Sequence, residues 1–453
     1  MLPELSSSAI RLLPQSGGGW ERVAWEFTPD QRLRSVLAVD DLISPIPFPK
    51  LRALDVQSYE HEGQPYYLLQ DPLELNGGSM LVPQGMGPIL ALCDGSQADA
   101  GAINGALIRR YGYGVGREAV EGLLAALDHS FLLENERFRH AAAGQVTAWR
   151  QAPHRPPMLA GRSYPADPDE LRGLLDGYLA QVPEDSKWAA IESGRGLFSP
   201  HIDYPRGGAV YATAWKAAAD LVAAAELVVI FATDHYGSDR FTLTRQHYAT
   251  PFGVLPTDGE SVDRLAAAIG PDAAFAGEMR HSREHSVELV AVWLHHMRGG
   301  KPVPIVPILT GGLQDFFRNG QAPDQDPTIR RVLETLTEIG HKRRVLVVAS
   351  GDMAHVGPAF GGPPLTPTRE NLLRAGDRAL LELLRAGKTA DFFRAIAQVE
   401  DRNNVCGVTP FYLALSLMER IRQRPVQGRV TGYDRCPADD RNTSAVTVCG
   451  IVY

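Results

Sequence analysis

The stretch from Leu227 to Gly237 reads LVVIFATDHYG. Five apolar residues, Leu227, Val228, Val229, Ile230 and Phe231, run through Ala232 and Thr233 into Asp234 and His235. A short apolar run this rich in β-branched side chains reads as a central strand covered on both faces. A strand of that kind demands a sheet with helices packed on each side. It also places the polar pair at the strand's carboxyl end, the edge where open α/β sheets bind ligands.

The rest of the C-terminal two-thirds repeats the pattern. Apolar strands are expected at 196–199, 304–309 and 344–349, with closing strands near 428–433 and 444–453. Between them lie amphipathic stretches at 168–179, 210–221, 260–269, 284–297, 328–339, 369–385 and 389–398, and a helix starting near Pro410. Strand and helix alternation of this kind gives an α/β fold, a sheet with helices on both faces. Asp167 is the expected cap of the first of these helices, with Pro168 at its first position.

The chain has 453 residues, room for two or three domains, and 44% of them are hydrophobic. Its formal net charge of -8 gives no bulk attraction to nucleic acid. Four cysteines, Cys93, Cys406, Cys436 and Cys449, are too few and too scattered for a disulfide framework. They fit a reducing cytoplasm. The N-terminal segment lacks the basic start and apolar core of a signal peptide, and no apolar run approaches the ~18 residues that cross a bilayer. A cytoplasmic protein with no membrane contact is expected.

Residues 1–28, which contain Gly17-Gly18-Gly19, read as a loosely ordered tail. Residues 29–134 carry a small α+β pattern. Strands are expected at 65–69 and 79–82, and helices at 86–92, 98–111 and 117–129. Phe131-Leu132-Leu133 reads as a wing strand. This order, with ALCDGSQ before two helices and LDHSFLLE after them, resembles PqqD-like winged-helix domains, which implies a peptide-binding or adaptor role. No dense basic recognition helix supports DNA binding. A packing domain without a ligand fits the same residues. Residues 135–156 read as a polar linker ending in prolines, and 157–453 as the second domain.

In that second domain three apolar strands end in His201, in Asp234-His235, and in Asp352 with His355. Cys406 precedes a helix whose expected cap is Thr409, a position that lowers a thiol's pKa. Glu284-His285 adds a carboxylate and an imidazole in the first turn of another helix, with Ser282 as its expected cap. Each residue alone has a structural explanation. Together they gather on one sheet edge. Two imidazoles, a thiolate and an open position suit Fe(II) or Zn(II), and also copper. The carboxylates and the other histidines would orient ligands or move protons.

Seven segments occur in family order: AGRSYP (160–165), SPHIDY (199–204), FATDHYG (231–237), HSREHSVE (281–288), PILTG (307–311), ASGDMAH (349–355) and NNVCGVTP (403–410). On these the second domain resembles the Memo family, protein B of the AmmeMemoRadiSam system. The resemblance implies a fold like that of class III extradiol (LigB-type) dioxygenases. It also implies a mononuclear metal held by His201, His235 and Cys406, with Fe(II) expected and copper or zinc as alternatives. Glu284, His285, Asp352 and His355 become the catalytic pocket residues. The implied activity is that of a non-haem-iron oxidoreductase. The alternatives are a peptide- or phosphopeptide-binding protein, or a metal-handling protein without turnover. The implied partners are a small molecule or peptide, a radical-SAM protein and an AMMECR1-like protein. Ile202-Asp203 stands where many members have Ala-Gly, which puts an extra carboxylate beside the first histidine.

His281-Ser-Arg-Glu284-His285 also matches HxxEH, the inverted zinc-protease signature. A helix starting near Glu284 leaves His281 outside it and breaks the required geometry. His295-His296 is expected to sit favourably at a helix C-terminus. Gly112, Gly114 and Gly116 lack nucleotide-binding spacing.

Overall fold

A computed structural model describes residues 46–71, 73, 75, 79–183 and 195–453, together with the strand backbones at 10–14, 20–27 and 33–35. The chain divides into two compact units, residues 1–149 and 150–453.

In the first unit β1 (Ile10–Pro14), β2 (Trp20–Phe27) and β3 (Leu33–Ser35) form one antiparallel sheet. The expected tail at 1–28 is therefore corrected at 10–14 and 20–27. The rest of that segment lies outside the described residues. A second antiparallel sheet joins β4 (Asp55–His61), β5 (Gln64–Gln70) and β6 (Ser79–Pro83). Four helices follow: α1 (Gly87–Leu92), α2 (Ala100–Tyr111), α3 (Arg117–His129) and α4 (Glu136–Gln151). Leu69, Val82, Ile89, Ile103, Leu107, Val120 and Leu127 form their core.

Two expectations change here. No strand forms at 131–133. Phe131 takes a left-handed backbone (φ 56°), and Leu133 makes a single bridge to Leu51. The polar linker expected at 135–156 is instead largely α4. Asn135 accepts the Phe138 N–H at 3.0 Å, and an alanine-rich interior carries the helix on.

The second unit begins with α5 (Pro168–Ala180), capped by the Asp167 carboxylate as expected. The elements that follow are β7 (Gly196–Ser199), α6 (Tyr204–Ala217), α7 (Ala219–Ala224), β8 (Leu227–Thr233), β9 (Thr242–Leu243), β10 (Tyr248–Thr250) and β11 (Gly253–Leu255). Next come α8 (Gly259–Ile269), α9 (Pro271–Phe275), α10 (His285–Met297), β12 (Ile305–Thr310), α11 (Gln314–Asn319), α12 (Pro327–Lys342), β13 (Val345–Ser350) and β14 (His355–Val356). The unit ends with α13 (Pro367–Arg385), α14 (Thr389–Ala397), α15 (Val408–Arg422), β15 (Arg429–Pro437) and β16 (Ala445–Val452).

The central sheet has eight strands in the order β14-β16-β7-β13-β8-β12-β9, with β15 paired to β16. Its middle four strands, β7, β13, β8 and β12, are parallel. The outer pairs, β16 on β7 and β9 on β12, are antiparallel. Ser350 faces Ser199 on one side and Ala232 on the other, so β7, β13 and β8 stop level with one another. That register brings the residues after each strand to one edge.

Alternation along the buried strands feeds two cores. Val228, Ile230, Leu346 and Val348 pack with Tyr211, Trp215, Val290 and Trp293 of α6 and α10. Val229, Phe231, Val347 and Ile308 pack with Leu265, Leu336, Phe411 and Leu415 of α8, α12 and α15. This is the mixed α/β sheet with helices on both faces. Among the described residues no helix is long and apolar enough to cross a membrane.

A fully buried ion pair ties the start of this unit to α10. Arg155 Nη1 lies 2.7 Å from Glu288 Oε2, and neither side chain is exposed. Glu288 also accepts the N–H groups of Met158 (3.0 Å) and Leu159 (2.8 Å) and the Tyr164 hydroxyl (2.5 Å). Removing one member of such a pair strands the other charge. Glu288→Ala is therefore expected to cost about 3–5 kcal/mol in urea-unfolding measurements. A loss below about 1 kcal/mol would show that the latch is dispensable.

Candidate metal centre

His201 follows β7 and is almost fully buried. Its backbone N–H donates to Asp352 Oδ1 at 2.9 Å, which ties the end of β7 to the end of β13. Ser350 Oγ donates to the Ser286 carbonyl at 2.6 Å and so presents a lone pair to His201 Nδ1, 3.4 Å away. That arrangement puts the ring proton on Nδ1 and leaves Nε2 as the ligand atom. Burial, reinforced by the neighbouring imidazoles, holds His201 well below the usual imidazole range, so the ring is neutral.

His235 follows β8. Its N–H donates to Glu284 Oε2 at 2.8 Å, and its Nδ1 lies 3.1 Å from Glu284 Oε1. Burial disfavours its cation, but the Glu284 carboxylate outweighs burial and lifts the pKa. Glu284 itself is the cap of α10, accepting the Ser286 N–H at 3.0 Å, in place of the expected Ser282. Its Oε1 also lies 3.1 Å from His285 Nδ1. Burial opposes ionisation of Glu284, yet the hydrogen bonds from His235 and His285 keep its pKa well below the ordinary carboxylate range.

Cys406 sits on the turn before α15. Its Sγ lies 3.2 Å from His201 Nε2 and accepts the Asp352 N–H at 3.2 Å. Thr233 Oγ1 donates to its carbonyl at 2.9 Å. The approach of this turn to β13 needs two glycines. A Cβ on Gly351 would lie 2.5 Å from Gly407 Cα. The helix cap is Gly407, without a side-chain bond, and Thr409 is buried, which corrects the expected Thr409 cap. The expected low thiol pKa is also corrected. Burial, and then the Asp352 charge, push the Cys406 thiol well above its ordinary value. A metal ion would have to displace that proton.

Among the described residues two groups of donor atoms result, each with all its atoms within 4.8 Å of one another: His201, His235 and His285, and His201, Asp352 and Cys406. The expected trio His201, His235 and Cys406 is thus divided between two sets that share His201. The residues fit a metal ion. Each imidazole has one nitrogen engaged by a protein oxygen and the other left for a ligand, the usual setting of metal-binding histidines.

A cavity of about 540 Å³ opens over this cluster. His201, His235, His285, Asp352 and His355 line it, together with Ile202, Leu289, Phe360 and the cationic Arg206 and Arg283. Burial raises the Asp352 pKa despite the histidines around it, and burial lowers that of His355. His355 Nδ1 donates to the Asn404 carbonyl at 3.0 Å, so its Nε2 is the basic atom. Glu284 is not among the cavity's lining residues. It stands behind the rings, where it positions them. Asp203 does line the cavity, but it caps α6 and pairs with Arg206, Oδ2 lying 2.8 Å from Nε, so its charge is compensated.

The HxxEH reading fails on geometry. His281 lies in a short 3₁₀ turn, Glu278–Ser282, before α10. Tyr248 OH lies 2.6 Å from its Nδ1, and its Nε2 lies 3.0 Å from the Thr242 carbonyl. Both nitrogens are occupied away from the cluster. His295 and His296 are likewise buried and held below the usual imidazole range, which favours neutral rings over the expected dipole-bound cations.

Arg280 and Arg155 are absent from the expected set. Arg280 Nε binds Asp234 Oδ2 at 2.7 Å, and its guanidinium also reaches Thr242 and Asp239. A Cβ on Gly237 would lie 2.3 Å from Arg280 Cζ, and one on Gly277 would lie 2.1 Å away, so the glycine of FATDHYG makes room for this clamp. Arg155 donates to the backbone carbonyls of His281 (2.5 Å) and Glu284 (3.0 Å). Gly237 was the available signal for Arg280. Arg155 lies in a segment whose prolines suggested only a linker.

A mixed α/β sheet whose strand ends converge on imidazoles, a thiol and carboxylates defines a candidate metal-binding α/β protein. The sequence matches the Memo-like protein family over residues 155–452, and the chain belongs to that family. It is 23% identical over 409 residues to a MEMO1 family protein of Aquifex aeolicus, covering 89% of this chain and 99% of the relative. That span exceeds the second unit, so the likeness runs on into the first. A MEMO1 family protein of Thermus thermophilus is 27% identical, over 62% of this chain and 79% of its own length. One from Archaeoglobus fulgidus is 31% identical, over 45% and 69%.

Burial pushes His281 down to about 3, against about 6.5 in the unfolded chain. Between these values the unfolded chain binds a proton that the folded protein does not. Stability is then present in full above about pH 6.5 and is lost as pH falls towards 3, by on the order of 5 kcal/mol from this residue. Melting temperatures measured from pH 7.5 to 4 should fall for the wild type and fall less steeply for His281→Gln. Parallel curves would refute this assignment.

Proposed function

We propose that the second unit is a mononuclear non-haem metal oxidoreductase related to class III extradiol dioxygenases, with Fe(II) held by His201, His235 and Cys406. The observation that carries this reading is the convergence of oriented imidazoles on one wall of a roomy cavity, with Cys406 Sγ, behind that wall, 3.2 Å from His201 Nε2. When bound, Fe(II) would supply one-electron and O2 chemistry. Ser350 and Glu284 hold the imidazoles in the tautomer that presents Nε2. Leu289, Ile202 and Phe360 exclude water around an apolar substrate body, and Arg283 supplies positive charge. His355 takes a proton from the substrate at Nε2, while its Nδ1–H stays on the Asn404 carbonyl. Asp352 fixes the His201 backbone beside it. A thiolate in place of the usual carboxylate ligand argues against catechol ring cleavage. In the alternative reading, a peptide-binding protein without turnover, the first unit is a PqqD-like adaptor that presents the peptide.

Metal analysis of full-length protein purified without oxygen should find near-stoichiometric iron, lost in His201→Ala and strongly reduced in Cys406→Ser. A wild-type protein that is empty and takes up no added Fe(II), copper or zinc would refute the metal reading and leave peptide binding without turnover as the better account.

Because burial lowers the His355 pKa, the group stays a base below the ordinary imidazole range. Turnover should therefore persist to pH values below about 6.5 before its acid limb appears. His355→Ala should abolish that limb and cut kcat by roughly 10²–10⁴. An unchanged pH profile in the variant would remove His355 from the chemistry.

A further inference from the structure

We infer that His285 is a fourth protein donor to the metal, a third imidazole beside those of His201 and His235. This rests on the metal reading above. The carrying observation is that one buried carboxylate reaches the rings of both His235 and His285. Glu284 Oε1 lies 3.1 Å from Nδ1 of each ring. Both rings therefore have Nδ1 engaged and Nε2 left over, the state in which an imidazole binds a metal ion.

Ring placement agrees. His235 and His285 stack at 4.7 Å with 18° between their planes. Each meets the His201 ring edge-on, at 5.0 and 5.2 Å and at 74° and 75°. Relative to His201 the two rings are therefore equivalent. One ring nitrogen of each lies within 4.8 Å of one from each of the other two. With metal–nitrogen bonds of about 2.1 Å, two donors on one ion can be at most ~4.2 Å apart, so small side-chain rotations close the set. The His285 side chain is about as exposed as that of His235, 32% against 29%. Nothing in its burial marks it as a packing residue, and it lines the cavity.

The chemical consequence concerns the open position. Three imidazoles would leave the last position of a four-coordinate centre to Cys406, whose sulfur groups with His201 but not with the other two rings. An incoming substrate group must then displace a ligand or raise the coordination number. His285 is the donor placed to give way, because it starts α10 and lines the cavity, whereas Cys406 is pinned from three sides.

The test uses full-length apoprotein loaded with Zn(II) for X-ray absorption and with Co(II) for optical spectra. Wild type should show three imidazoles around zinc. His285→Gln should show two and bind zinc about 10–100-fold more weakly, while the thiolate-to-Co(II) band persists. His285→Gly should behave likewise, and added free imidazole should restore the third nitrogen. Two imidazoles in the wild type, unchanged in His285→Gln, would overturn the inference. If His201→Ala still abolished binding, the metal reading would survive that result. A wild type that binds neither ion would overturn both.

Discussion

The Glu284 carboxylate is the interaction on which the rest of the site depends. It is fully buried and ionised, a state that needs several donors to offset lost hydration. It has four: the His235 and Ser286 N–H groups and the Nδ1 atoms of His235 and His285. Each donor is also a positional constraint. One side chain thereby caps α10, fixes the turn after β8 and sets the orientation of two imidazoles. Its own backbone is held by Arg155, whose charge is balanced by Glu288 on the same helix. A chain of buried charges thus connects residue 155 to the cluster.

The sheet supplies the other half of the arrangement. Parallel pairing in level register makes the ends of β7, β13 and β8 coincide, and short polar links then fasten those ends together. The Asp352 carboxylate holds the His201 N–H, while its own N–H is held by the Cys406 sulfur. Asp352 is in this sense a hub between two strands and a helix. That backbone role and its high pKa both follow from burial at the same spot. The contact of Gly351 with Gly407 allows Cys406 to approach from the face opposite the histidine-bearing α10.

Much of this was legible in the sequence, and for local reasons. Leu227 to Phe231 and Val345 to Ala349 are strands because β-branched apolar runs have few other places to go. Their polar successors therefore had to emerge at a sheet edge. Asp167 caps α5 because its side chain reaches N–H groups only two and three residues on. The errors also have physical causes. Residues 135–151 look polar enough for a linker, yet alanines and an Asn135 cap make a helix without a large apolar face. Phe131-Leu132-Leu133 has strand composition, but the backbone turns at Phe131 and leaves only one bridge.

Legible in the sequence alone was which residues gather at one sheet edge: His201, His235, Asp352, His355 and Cys406 follow from strand ends, a helix start and their order. What the tertiary structure alone decided is what each member does. Cys406 was expected to be an acidic thiol, from its place before a helix. Burial beside Asp352, 54 residues away in the chain, reverses that. Glu284 looked like a cavity acid, and contact with His235, 49 residues earlier, turns it into a support. His201 and Cys406 meet across 205 residues. Local sequence controls backbone conformation over a few residues, whereas protonation and ligand orientation depend on the electrostatic surroundings, which distant segments create only once the chain has folded.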